Sequence, residues 1–94
     1  MRAYAYIIDI PLYDYHSLKE KRGLRQRLQT KLKAKFNISI IETDLQDRLD
    51  VLRFALAYVS LNAASAETTI DNILDFIFEE SGIEAQIVQY DEIV

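Results

Sequence analysis

Cysteine and tryptophan are absent from this 94-residue chain, which holds only one proline, two glycines, one histidine and one methionine. Without cysteine there is no disulfide, no thiolate-held zinc and no cysteine nucleophile, a pattern that suits a reducing cytoplasm. Two glycines are too few for a phosphate-binding loop or a dinucleotide fingerprint. The scarcity of Gly and Pro also argues against linkers and disorder. No stretch approaches the roughly 20 apolar residues of a membrane span. Asp9 breaks the early apolar run Ile7, Ile8, Ile10, unlike a secretory leader. What is present is a core's worth of apolar side chains: half of the residues are hydrophobic, with six Tyr and four Phe. The expectation is a single domain over residues 1–94, cytoplasmic and with no membrane partner.

The net charge of −4 conceals a segregation. Residues 1–36 hold nine Lys/Arg against three Asp/Glu, and residues 37–94 hold two against twelve. Nearly all the positive charge lies in one segment: Lys19, Lys21, Arg22, Arg25, Arg27, Lys31, Lys33 and Lys35. Such asymmetry concerns fields and partners rather than fold.

Residues 2–12 alternate with period two, Tyr4, Tyr6, Ile8, Ile10 and Leu12 against Ala3, Ala5, Ile7 and Asp9, which predicts a strand closed by Pro11. Ser17 and Glu20 form the S-x-x-E capping pattern of a helix N-terminus. Leu24, Leu28, Leu32 and Phe36 then recur every four residues as one apolar stripe. Gly23 lies inside this helix and suggests close approach of another backbone. A second strand is predicted over Ile38–Glu42, a polar turn over Asp44–Arg48, and a third strand in which Leu52, Phe54, Leu56 and Tyr58 alternate with Arg53, Ala55, Ala57 and Val59. A second helix follows caps between Asn62 and Ser65, with Ala66, Ile70, Ile73, Leu74, Ile77 and Phe78 as its apolar face and Gly82 at its C-terminus. The last strand begins at Ile83 and changes phase at Val88, as a bulge would.

The order β-α-β-β-α-β, with right-handed crossovers, predicts an α+β ferredoxin-like sandwich: a four-stranded antiparallel sheet with two helices on one face. The first and third strands are central. Their open face carries Ala3, Ala5, Ala55 and Ala57, small apolar side chains that suit a homodimer interface or a thinly covered monomer surface.

His16–Arg22 spell HSLKEKR, Phe36–Ser39 spell FNIS, and Glu42, Gln46 and Asp47 follow. With Val59, Ser60, Ala66 and Glu67 these residues resemble the YlxP-like family of small bacterial proteins, a domain of unknown function. The resemblance spans nearly the whole chain and implies a ferredoxin-like fold. Its association with genes for translation and ribosome maturation implies an RNA- or ribosome-related role, without a defined activity. The chain departs from the pattern at Leu45, where the family often has His, and lacks a Trp common soon after.

The basic helix is the foremost candidate site. Lys19, Lys21, Arg22, Arg25, Arg27 and Lys33 are candidates for nucleic-acid binding, since each phosphate contact releases counterions. The acidic second helix, with Glu67, Asp71, Asp75, Glu79 and Glu80, is the competing partner for the same charge. His16 and Ser17 precede a helix N-terminus and are candidates for anion binding, or for a cap. Glu42, Asp44, Asp47 and Asp50 cluster around a turn but lack the glycine and ligand order of a calcium loop, so no metal is expected. The stacking rings of RNA-recognition domains are missing, since Ala55 and Ala57 stand where they would be. Phe76 falls off the second helix's apolar stripe, either as a partner contact or as an exposed aromatic. No catalytic residues and no cofactor are expected. The sequence reads as a non-enzymatic factor, RNA- or ribosome-associated through its first helix, or alternatively as a dimeric scaffold or small-ligand module using its open sheet face.

Overall fold

A computed structural model describes all residues 1–94. The elements run β1 (Arg2–Pro11), α1 (Leu18–Lys35), β2 (Ser39–Glu42), β3 (Val51–Ser60), α2 (Ala63–Ser81) and β4 (Gln86–Glu92). The four strands form one antiparallel sheet in the order β2-β3-β1-β4, so the first and third strands are central. This is the ferredoxin-like α+β arrangement, with both helices on one face.

The period-two alternation sets the register. Tyr4 pairs with Tyr58, Tyr6 with Leu56 and Ile8 with Phe54, all facing the helices and all buried. Leu24, Leu28 and Leu32 of α1 and Ala66, Ile70, Ile73 and Ile77 of α2 close the core from the other side. Each such Leu or Ile contributes about 1.5–3 kcal/mol on leaving water. Among the polar groups buried with the core is the hydroxyl of Tyr58. It donates to Ala66 O at 2.7 Å, and burial pushes its phenol well above the ordinary range.

The caps fall where the residue types place them. Ser17 Oγ accepts from the Glu20 N–H, and Asn62 caps α2 by accepting from the Ser65 N–H. Gly82, at φ +74°, ends α2 with its N–H on Phe78 O. The phase change in β4 is a bulge. Gln89 pairs with Ile7 and Ile87 with Ile8, leaving Val88 as the extra residue.

Three features differ from the sequence expectation. Phe36 lies beyond the last turn of α1 in extended conformation, packed edge-on against Phe76 at 6.0 Å. Phe76 is therefore an intramolecular contact, further covered by Lys35 Nζ at 4.7 Å from its ring centre. Gly23 is exposed, and a Cβ built on it would meet nothing within 4 Å, so no backbone of this chain approaches it. Phe78, placed on α2's apolar face by spacing, is 53% exposed, because β4 lies outside the cover of the helices.

Candidate functional site

α1 carries three kinds of cation, sorted by helical angle. Lys21 sits beside the leucine stripe and is only 2% exposed. Its ammonium donates to three carbonyls of the β2–β3 connection: Leu45 O at 2.8 Å, Gln46 O at 3.3 Å and Arg48 O at 2.7 Å. Glu42 lies 3.6 Å away and supplies the countercharge. Three donors meeting three carbonyls uses the full capacity of an ammonium group.

This cage has a definite task. Asp44 and Leu45 have positive φ, 48° and 49°, outside the range that side chains favour. Residues held this way cost of order 1–3 kcal/mol each. Hydrogen bonds to a charged group contribute about 1.5–3 kcal/mol each, so the ammonium outweighs the strain. Leu45 occupies the position where the family resemblance has His, a residue that visits this region more readily than a leucine does. Lys21 thus lies inside the protein rather than on the cationic surface expected from the sequence. The signal for it was its angle, next to the apolar stripe; its carbonyl partners lie 24–27 residues away and leave no local trace.

Arg25 is half-buried on the same side and pairs with Glu42 at 3.5 Å. Gln29, one turn on, donates to Ile40 O at 3.0 Å and ties α1 to β2. Lys31 faces α2 and pairs with Glu80 at 2.9 Å.

Lys35 turns to the Phe76 ring, and the other four cations face outward. Lys19, Arg22, Arg27 and Lys33 are exposed, and none has a carboxylate within ion-pair distance. Lys19, Arg22 and Lys33 share one outward stripe with Gln26 and Thr30, and Arg27 lies toward α2. From Lys19 to Lys33 the stripe spans about 21 Å at 1.5 Å per residue. Of the carboxylates around the turn, Glu42 serves Lys21 and Arg25, and Asp50 is gripped by Arg48 through two bonds of 2.8 and 2.6 Å. That hydrogen bonding holds the Asp50 carboxyl below its usual range.

At the start of α1, His16 is exposed and Ser17 is already engaged as the cap. The structure gives these two residues no common partner. On the open sheet face Ala5 pairs with Ala57 and Ile7 with Ala55, while Ala3 pairs with Val59. Ala5, Ile7, Ala55 and Ala57 line a shallow hollow of about 410 Å³ completed by Ile41 from β2, and Ala3 lies outside it. Asp9 and Arg53, paired through two bonds of 2.7 and 2.9 Å, sit at one end of this face. No helix is long and apolar enough to cross a membrane.

Comparison with known proteins agrees with the motifs. The family described as Protein of unknown function (DUF503) matches residues 4–91. The chain is similar to the uncharacterized protein YlxP of Bacillus subtilis (strain 168), 37% identical over 78 residues, which cover 83% of this chain and 85% of that protein. On both comparisons the chain belongs to the DUF503, YlxP-like family of proteins of unknown function.

Proposed function

We propose that this protein is a non-enzymatic binding factor that takes up a polyanion, an RNA or a ribosomal subunit, along the outward stripe of α1. One observation carries the reading: Lys19, Arg22, Arg27 and Lys33 are exposed and unpaired in a chain whose carboxylates outnumber its cations by four. A surface that spends its charge internally would pair these groups first, as Lys31 is paired with Glu80. The translation-linked character of the resembled family directs the choice of RNA among polyanions. The contacts are to phosphates, which give affinity without base reading.

Fluorescence anisotropy with structured RNA and with ribosomal subunits, over a salt series, tests it. Three or four phosphate contacts on a single-stranded site lower affinity about 20- to 50-fold between 50 and 200 mM salt. Arg22→Glu with Lys33→Glu abolishes the binding. Affinity indifferent to salt, or unchanged in that double variant, defeats the proposal. The hollow around Ala5 and Ala57 supports a second, subordinate reading as a homodimer scaffold, for which the mass in solution is the check.

A further inference from the structure

The helical layer does not cover the whole sheet. α1 packs on β2 and against α2, and α2 packs over β3 and β1. β4 is left outside, and all seven of its residues are exposed. The consequence is a groove on the helix side of the sheet, bounded by α2 along one wall and by β4 along the other. Its floor at one end is made by Tyr4, Tyr6 and Tyr90, whose rings stack at 5.5–6.4 Å. Ile70 and Ile87 flank these rings around a hollow of about 460 Å³. A second hollow of about 620 Å³ continues it past Leu74 and Phe78 and shares Asp71 with the first. From Ala63 to Phe78 the groove follows about 22 Å of α2.

Its rim is acidic. Glu67, Asp71, Asp75 and Glu84 line the two hollows, and no Lys, Arg or His of the chain pairs with any of them. An apolar aromatic floor with unpaired carboxylates on its margin is complementary to a segment with apolar anchors and cationic flanks. The exposed face of Tyr90 adds an electrostatic preference for a guanidinium.

We propose that this groove docks a basic amphipathic helix of another protein, laid alongside α2 as a third helix of the layer. Width and shape favour a helix over a strand. The uncovered strip lies at helix-layer height beside α2, where a helix packs at 8–10 Å. Strand addition to the free edge of β4 is opposed by the bulge at Val88 and by Asp91 and Glu92 at the strand's end. A second copy's α1 does not fit. Its outward stripe is basic but offers only Gly23, Gln26, Thr30 and Ala34 between the cations, with no large apolar side chain for the floor. This docking site is separate from the α1 stripe and does not depend on the polyanion reading.

The test uses the full chain and a synthetic 16-residue helix with Leu at i, i+3, i+4 and i+7 and Lys or Arg beside them. Controls are the same composition scrambled, and the same pattern with Glu for the cations. Anisotropy gives affinity, and amide shifts in the ¹⁵N-labelled protein give location. The expected result is saturable binding of the patterned basic helix alone, with shifts along α2 and β4. Asp71→Lys with Asp75→Lys weakens it roughly tenfold. Tyr90→Ser and, independently, the exposed Phe78→Ser weaken it as well, while circular dichroism verifies the fold of each. Arg22→Glu with Lys33→Glu leaves it intact. Equal binding of the scrambled peptide, or shifts confined to α1 or the open sheet face, overturns the proposal. So does a dimer of the free protein that Phe78→Ser dissociates, because the groove then belongs to a second copy.

Discussion

Lys21 shows how one side chain can decide the shape of a loop. A lysine in a segment of eight cations looks like surface charge, yet its ammonium is buried on three carbonyls and holds Asp44 and Leu45 in left-handed conformation. Lys21→Met keeps the aliphatic stem and removes the donors. Three carbonyls then lose their donor around a buried stem, and Glu42 keeps only Arg25. We expect a loss of about 3 kcal/mol, since leaving buried groups unsatisfied or breaking a buried pair costs in that range. Urea denaturation measures it, and a loss under about 0.5 kcal/mol, the scale of an ordinary surface substitution, refutes the cage. Lys21→Arg does not restore the wild-type value, because a planar fork cannot direct three bonds to one point.

At the scale of elements, what was legible followed from period and what was not followed from contact. The alternation in residues 2–12 and 52–59, the leucine stripe, the Ser17 and Asn62 caps and the Gly82 stop all fix local backbone. They located every element to within a few residues. Val88 betrayed the bulge because a bulge is a phase error along one strand. The fate of Phe76 and Phe78 depended on how far each helix sits across the sheet, which no local pattern encodes, whereas Lys21's angle hinted at burial but not at its distant carbonyl partners. Gly23 is the instructive miss. Its presence in a helix suggested a close packing partner, but a Cβ there meets open space and its φ is not in the left-handed range. Gly23→Ala therefore relieves an entropic cost without adding a clash. It stabilises the protein by about 1 kcal/mol, raising the melting temperature by roughly 4–8 °C. Calorimetry or thermal circular dichroism checks this, and a lower melting temperature contradicts it. Should the same variant lose polyanion affinity at unchanged fold, the glycine serves close approach of a ligand to the outward stripe instead.

For the whole molecule the two helices form opposed surfaces, α1 with unpaired cations and α2 with unpaired carboxylates, bridged by Lys31 and Glu80. The helices pack side by side, about 10 Å between axes. The acidic rim therefore lies within reach of α1's field at low salt, where the screening length is about 30 Å at 10 mM, and outside it at 0.15 M, where it is about 8 Å. This separation makes a prediction neither surface makes alone. Asp71→Lys with Asp75→Lys exchanges two charges at each site and takes the net charge from −4 to zero. It should raise affinity for RNA severalfold at 10 mM salt and leave it nearly unchanged at 0.15 M, while weakening the basic helix in the groove. Anisotropy with both ligands on one protein preparation reads the two effects together. If the gain for RNA persists undiminished at 0.15 M, the new lysines touch the polyanion directly, and the RNA runs over α2 rather than along Lys19, Arg22 and Lys33.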